Sequence, residues 1–130
     1  HSVRLLLDTH CFLWLNSEPD RVSRDAMAAC RDEANALHLS LVSLWEIQIK
    51  QQLGKLNLAV PWTSMVETQQ QANGLQTLPL SVAQIQALQQ LPPHHRDPFD
   101  RMLIAQARSE GMTLVSADQS FAAYEVPVLW

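Results

Sequence analysis

The sequence predicts an α/β protein in which helices cover both faces of a central, mainly parallel sheet. Short apolar runs alternate with longer segments whose apolar residues recur at helical spacing, and capping residues, Gly or Pro separate them. Strands and helices that alternate in this way are joined by right-handed crossovers and form a parallel sheet. The chain has 130 residues, of which 47% are hydrophobic, and this suffices for one core. We expect a single domain over residues 3–130, with His1 and Ser2 set aside as a remnant of expression.

Four or five short strands are expected. Residues 3–7 form an apolar run that is too short for a core helix and is typical of a strand buried on both faces. Similar short runs recur between the helical segments. The predicted strands are residues 3–7, 37–41, 75–78, 112–115 and 126–129.

The predicted helices begin at capping residues and end at glycine or proline. Asp97 is a good N-cap, and Pro98 suits the first helical position after it. Ser43 and Glu46 match a capping box, which places Glu46 in the first turn of its helix. The predicted helices are residues 11–15, 24–31, 43–54, 61–73, 82–90 and 98–110, with a further turn at 119–123.

Composition excludes some classes of function. The net charge of −4, from 13 acids and 9 Lys and Arg, argues against a passive nucleic-acid coat. It leaves room for an enzyme that holds a phosphodiester through a bound cation. Cys11 and Cys30 form no disulfide framework, and we interpret them as reduced core residues. The sequence predicts no signal peptide and no membrane span, so we expect a cytoplasmic protein.

Four isolated acids share one kind of position. Asp8 directly follows the first predicted strand, and Asp118 follows the fourth after two residues. Glu46 and Asp100 lie near the starts of helices. If those two strands are neighbours, all four acids gather at the carboxyl edge of the sheet, where open α/β sheets bind ligands. Crowded carboxylates repel one another and favour a hard divalent cation. The pattern therefore predicts metal-assisted phosphodiester hydrolysis, with Asp8, Glu46, Asp100 and Asp118 as metal ligands and catalytic residues.

Each acid also has a purely structural explanation, and spacing alone leaves both open. Asp8 can cap the helix that follows it, and Asp118 can begin an Asx-turn. Glu46 can be the third residue of a capping box. Asp97 and Asp100 sit in a first helical turn, where the helix dipole favours negative charge.

Four segments, taken in order, resemble a known family. They are Leu5-Leu6-Leu7-Asp8-Thr9-His10, Ser43-Leu44-Trp45-Glu46-Ile47, Arg96-Asp97-Pro98-Phe99-Asp100-Arg101 and Leu114-Val115-Ser116-Ala117-Asp118. Together they resemble PIN domains, specifically the VapC-type toxin ribonucleases of VapBC toxin–antitoxin pairs. The resemblance spans the chain after residue 2 and implies a three-layer α/β/α fold with four to five strands. It also implies Mg²⁺- or Mn²⁺-dependent cleavage of RNA, inhibition by a cognate VapB-type antitoxin, and a homodimer within a higher toxin–antitoxin complex.

The resemblance assigns roles residue by residue. Asp8, Glu46 and Asp100 match the three core metal-site acids, and Asp118 matches a fourth, more variable one. Thr9 and Ser116 match positions where small hydroxyl residues hydrogen-bond the acids or a metal-bound water. Asp97 lies outside the core set and is interpreted as the helix cap, with a supporting role at the site.

Cations near the acids are candidates for binding the phosphates of a substrate. Arg101 is expected to contact a substrate phosphate or a neighbouring acid, and Arg96 is a second candidate. Lys50 and Lys55 are expected on a solvated helix face.

Two other functional classes remain open. A metal-dependent phosphatase or receiver-like phosphoryl-transfer domain is disfavoured, because His10 stands where such a phosphatase has a second Asp and no lysine follows Lys55. A non-catalytic binding module with a vestigial acid pocket is the other alternative. The spacing of His10, His94, His95 and Cys11 fits no usual zinc site, so the histidines are expected to be loop residues.

Overall fold

The sheet positions everything else in the molecule. A computed structural model describes residues 2–130, and His1 of the expected expression remnant lies outside the described residues. Five parallel strands lie in the order β3-β2-β1-β4-β5. Their bounds are Arg4–Leu7 (β1), Ala36–Ser40 (β2), Gln76–Leu78 (β3), Thr113–Val115 (β4) and Val128–Leu129 (β5). The predicted mainly parallel sheet is confirmed. The first strand pairs with the fourth, which is the condition under which Asp8 and Asp118 meet.

Helices form a layer on each face of the sheet. The α-helices are Thr9–Ser17 (α1), Arg24–Arg31 (α2), Leu41–Gln52 (α3), Trp62–Asn73 (α4), Val82–Ala87 (α5) and Pro98–Glu110 (α6). Shorter 3₁₀ helices cover Pro19–Arg21, Leu88–Gln90 and Gln119–Tyr124. The α/β/α arrangement expected from the resemblance is therefore confirmed.

Alternation along β1 divides the core into two clusters. Leu5 and Leu7 point to one side, where they pack with buried residues of α1, α2, α3 and α4. Leu6 points to the other side, toward buried residues of α6 and the 3₁₀ helix Gln119–Tyr124. Side chains of successive strand residues point to opposite faces, and here both faces are covered, so the run is apolar throughout. Cys11 and Cys30 are free and buried in the first cluster, as expected.

The start of α3 corrects one prediction. The helix begins at Leu41, and Ser40 is its N-cap, with Ser40 Oγ accepting the Val42 N–H at 3.0 Å. The predicted capping box of Ser43 and Glu46 is therefore wrong. The second strand was predicted to reach residue 41, whereas β2 ends at Ser40, and this serine at the strand end caps the helix. Glu46 consequently lies in the second helical turn and its side chain is free for other contacts.

The start of α6 agrees with the sequence. Asp97 is the N-cap and accepts the backbone N–H of Phe99 at 2.8 Å, while Pro98 occupies the first turn. The helix ends at Gly111, whose φ of 66° lies in the left-handed region that a residue with a side chain adopts at a cost. Within residues 2–130, no helix is both long and apolar enough to cross a membrane.

Candidate active site

The carboxyl edge of the sheet brings the predicted acids to one small cavity. Asp8 follows β1 and Asp118 follows β4, and these strands are direct neighbours. Glu46 comes from α3 and Asp100 from the first turn of α6. The cavity has a volume of about 110 Å³. Its charged lining consists of Asp8, Glu46, Lys50, Asp97, Asp100 and Asp118, together with the imidazole of His10.

Asp8 is the most tightly held of the strand-end acids. Its side chain caps α1 by accepting the Cys11 N–H at 2.6 Å, and it accepts the Ser116 hydroxyl at 2.5 Å. Burial raises the pKa of this carboxyl, and the hydrogen bonds from Ser116 and Cys11 oppose that shift. The structural role proposed as an alternative for Asp8 is therefore real, and it coexists with a place in the acid cavity.

Glu46 is buried and makes two side-chain contacts. Its residue exposure is only 3%, which requires a partner for the charge. Thr9 Oγ1 donates to Glu46 Oε1 at 2.7 Å and lies 3.0 Å from Ser43 Oγ. Lys50 Nζ donates to Glu46 Oε2 at 2.6 Å. Both oxygens of Glu46 are thus engaged by the chain itself.

Lys50 corrects the expectation that it lies on a solvated helix face. It sits one helical turn after Glu46 on α3, where residues four apart face each other. The hydrogen bond to Glu46 raises the pKa of the Lys50 ammonium. Lys50 therefore lines the acid cavity and supplies a positive charge there, whereas Lys55 is exposed as expected.

Asp100 faces the cavity from the first turn of α6, and its surroundings disfavour the ionised carboxylate. Burial raises the pKa of Asp100 to about 6, and the negative charges of Asp97 and Glu46 add to the shift. The backbone N–H of Asp100 lies 3.4 Å from Asp97 Oδ1, so the cap and the acid are close neighbours. A carboxyl with such a pKa is one whose ionised form lacks enough compensating positive charge.

Asp118 lies at the rim and is held by a chain of polar side chains. Its Oδ1 accepts the Ser120 hydroxyl at 2.5 Å and the Ser120 N–H at 3.0 Å, and these hydrogen bonds lower its pKa. His95 Nε2 lies 3.1 Å from Ser120 Oγ and 3.5 Å from Asp118 Oδ2. The Tyr124 hydroxyl lies 2.9 Å from His95 Nδ1. The Asx-turn alternative is therefore present as well.

His95 is a site residue that sequence reasoning missed. It was expected to be an ordinary loop residue, yet its imidazole connects the segment before α6 to the segment after β4. Its partners Ser120 and Tyr124 are 25 and 29 residues away in the sequence. No local spacing signals such a contact, because only the fold brings those segments together.

The two arginine candidates lie in different settings. Arg101 points into the preceding loop, where its guanidinium donates to the carbonyl oxygens of Leu91, Pro92 and His95 at 2.9–3.3 Å. These contacts secure the loop that carries His95. Arg96 is exposed on the same loop, next to the helix cap.

The donor atoms of the cavity are of the chemical type that suits a hard divalent cation. Carboxylate oxygens are the ligands that Mg²⁺ and Mn²⁺ prefer. Burial raises the pKa values of Asp8 and Asp100, so a cation at the cavity would favour their ionised forms. Among residues 2–130, however, no three His, Cys, Asp or Glu side chains are close enough to hold one ion as placed. In this arrangement Glu46 contacts Lys50 and Asp8 contacts Ser116, so one oxygen of each carboxylate faces a partner within the chain.

The shifted pKa of Asp100 predicts how stability depends on pH in metal-free buffer. The folded protein holds this proton up to about pH 6, whereas an ordinary Asp releases it near 3.8. Between these values the folded state binds more protons than the unfolded state, so the free energy of unfolding falls as pH rises. We expect Asp100 to contribute about 1 kcal/mol to this fall, because solvent screens a partly exposed carboxylate.

Urea denaturation in EDTA at pH 4.5, 5.5 and 7 measures this effect. The Asp100→Asn variant should lose part of the decline, since Asn does not titrate. Asp8, whose pKa is also raised, leaves a residual decline of the same sign. Identical pH profiles for the wild type and the variant would contradict the shift.

Known proteins resemble this chain in sequence and in structure. It is 29% identical over 124 residues to Ribonuclease VapC22 of Mycobacterium tuberculosis, covering 95% of this chain and 93% of that protein. Among solved structures, VapBC2 from Rickettsia felis bound to a promoter DNA fragment aligns with a TM-score of 0.74 at 14% identity, covering 98% of both chains. DNA-bound VapBC from Salmonella typhimurium gives 0.69 at 14% identity, covering 98% of this chain and 97% of the other. At such identities the structural likenesses establish the fold alone.

Sequence comparison also identifies the family. The sequence model described as PIN domain matches residues 5–127, which include all the strand-end and helix-start acids described above. The chain therefore belongs to the PIN domain family.

Proposed function

We propose that this protein is a metal-dependent endoribonuclease and the toxin of a VapBC-type toxin–antitoxin pair. The observation that carries the proposal is the gathering of Asp8, Glu46, Asp100 and Asp118 at one cavity of a PIN domain. The ribonuclease name of a relative at 29% identity supports the same reaction. We further propose that residues 3–130 act as one domain.

In the proposed mechanism the chain holds the cation and water attacks the phosphodiester. Asp8, Glu46 and Asp100 hold Mg²⁺ or Mn²⁺, with Asp118 contributing from the rim. When bound, the cation supplies the positive charge that stabilises the phosphate and lowers the pKa of an attacking water. The hydroxyls of Thr9 and Ser116 donate to carboxylates and thereby orient them.

No side chain of the cavity is proposed as a covalent nucleophile. The Ser116 hydroxyl is directed at Asp8 and is buried with no exposed surface. The Thr9 hydroxyl is directed at Glu46. A hydroxyl that donates to a buried carboxylate is held away from an incoming phosphate, so cleavage proceeds by in-line attack of water.

The proposal includes partners and a location. The solved relatives are VapBC complexes, and we propose a VapB-type antitoxin that covers the acid cavity of this chain. RNA is the proposed substrate, with Arg96 and Arg101 as the phosphate-binding candidates from the sequence. We also propose a homodimer, a higher toxin–antitoxin complex, and a cytoplasmic location.

Cleavage of RNA in defined metal conditions tests the proposal. Purified protein, stripped of any co-purifying inhibitor under denaturing conditions and refolded, is incubated with a tRNA pool in Mg²⁺, in Mn²⁺ or in EDTA. We expect discrete fragments with either metal and none in EDTA. Intact RNA under every condition, from protein that is folded by circular dichroism, would contradict the nuclease. Hydrolysis of small phosphate monoesters would then favour a phosphatase, and metal binding without turnover would favour a binding module.

A further inference from the structure

A second and larger cavity adjoins the acid cavity. It has a volume of about 630 Å³ and shares Asp8, His10 and Asp118 with the smaller one. Its remaining lining residues are Trp14, Arg21 and Ala117. One wall is therefore made by the acids, and the other is made by an indole, an imidazole and a guanidinium. The shared residues make the two cavities continuous at the acids.

Arg21 is held in place by stacking. Its Cζ lies 4.3 Å from the centroid of the Trp14 ring, a distance at which the guanidinium and the indole attract each other. Trp14 is itself supported by Trp130, whose ring centroid lies 5.8 Å away at an edge-on angle. Arg21 is 56% exposed in its side chain, so the guanidinium remains accessible.

The ion pair between Arg21 and Glu18 is weak. Arg21 Nη1 lies 3.6 Å from Glu18 Oε2, and both side chains are more than half exposed. An exposed ion pair of this kind contributes little and is easily exchanged for another anion. Lys50 and Arg101, in contrast, are engaged by Glu46 and by backbone carbonyls. Arg21 is thus the better placed cation for a phosphate next to the acids.

His10 completes an aromatic wall. Its ring centroid lies 6.0 Å from that of Trp14, and the side chain is exposed at the border between the two cavities. Exposed aromatic faces beside a cation are the usual means by which proteins hold single-stranded bases and phosphates together. The fold presents all three side chains from one segment, α1 and the 3₁₀ helix that follows it.

We propose that this second cavity binds the nucleotide adjacent to the cleaved bond. Arg21, stacked on Trp14, binds the phosphate of that nucleotide, and its base packs against His10. The inference rests on the proposed ribonuclease function and adds the position of the RNA strand relative to the acids. Because a phosphate contact positions the strand without reading its sequence, Arg21 strengthens binding to all RNAs alike.

Steady-state cleavage of a short single-stranded RNA by Arg21→Gln tests this position. We expect KM to rise about tenfold and kcat to stay within about twofold, because binding common to substrate and transition state is lost. The slope of log KM against log salt concentration should fall by about 0.7, the value for one phosphate contact on a single strand.

Three further variants sharpen the test, two at arginine positions and one at His10. Arg24→Gln removes the same charge from an exposed residue at the start of α2 that does not line the cavity, and should behave as wild type. Arg21→Lys keeps the charge but loses the planar stack, and should retain the salt slope with an intermediate KM. His10→Ala should raise KM, because it removes the ring against which the base packs.

The outcomes separate this inference from the function on which it rests. If wild type does not cleave RNA with metal, the proposed function is contradicted. If wild type cleaves and Arg21→Gln matches Arg24→Gln in KM and salt slope, the nucleotide site alone is overturned. A loss of the salt slope in Arg21→Lys would likewise overturn a phosphate contact at Arg21.

Discussion

Asp100→Asn is expected to lower the rate of RNA cleavage by about a hundred- to a thousandfold, the effect of losing several kcal/mol of transition-state stabilisation. Asn is close in shape to Asp but carries no charge, so the cavity loses one of its proposed metal ligands. The fold should persist, because the cap of α6 is Asp97 and the core of that helix is untouched.

The same substitution should stabilise the metal-free protein at neutral pH. Burial and the charges of Asp97 and Glu46 make ionised Asp100 unfavourable, as its pKa of about 6 reflects. Removing that charge relieves the repulsion, so the midpoint of urea denaturation in EDTA should rise at pH 7. A variant that gains stability while losing activity indicates a residue retained for function rather than for folding.

Asp25→Asn is the matched control for Asp100→Asn. Asp25 is an exposed acid in the first turn of α2. Its replacement by Asn is therefore the same chemical change at a similar helical position outside the cavity. It should retain full cleavage and show no gain in stability. Cleavage by Asp100→Asn at a rate close to that of Asp25→Asn would contradict a role for Asp100 in the reaction.

The fold could be predicted because its signals are local. The uninterrupted apolar run of β1 requires cover on both faces, and the structure places a core cluster on each side of it. The cap at Asp97 and the stop at Gly111 define α6 in the sequence and in the structure. The gathering of Asp8 and Asp118 followed from the rule for parallel strands once β1 and β4 were taken as neighbours.

What sequence reasoning missed depends on contacts between distant segments or on the boundary between a strand and a helix. His95 meets Ser120 and Tyr124 only because the loop before α6 folds over the end of β4. Arg21 was passed over because a single exposed arginine carries no pattern, and its stacking on Trp14 requires the turn after α1. Ser40 was placed inside the predicted strand 37–41, so its role as the cap of α3 depended on where β2 ends.

The contact between Lys50 and Glu46, unlike those of His95 and Arg21, could have been predicted from the sequence. The spacing of four residues between Glu46 and Lys50 on a predicted helix is the spacing of a facing ion pair. The consequence is that the cavity of acids contains its own cation. It was not recognised because Glu46 was interpreted as part of a capping box. The proposed divalent metal would compete with that cation for the same oxygen of Glu46, because this carboxylate oxygen already accepts a hydrogen bond from the Lys50 ammonium at 2.6 Å.

Replacing Lys50 with Met should therefore destabilise the metal-free protein and strengthen metal binding. Glu46 is 3% exposed, and without the ammonium its buried charge lacks its strongest partner. Because the Lys50 side chain is 37% exposed, we discount the cost to about 1 kcal/mol in EDTA. If Mn²⁺ binding becomes more favourable by the same amount of about 1 kcal/mol, the dissociation constant for Mn²⁺ is about fivefold lower in the variant.

Calorimetric titration with Mn²⁺ and urea denaturation with and without the metal measure both effects. Lys55→Met, an exposed lysine beyond the end of the same helix, should change neither quantity. Equal Mn²⁺ affinity in Lys50→Met and wild type would mean that the ammonium does not occupy the metal's place. Weaker affinity in Lys50→Met would mean that Lys50 supports the bound state. Tighter affinity together with lower metal-free stability is the result expected of an internal counter-ion, because the Lys50 ammonium stabilises Glu46 in the absence of metal and opposes a divalent cation at the same carboxylate.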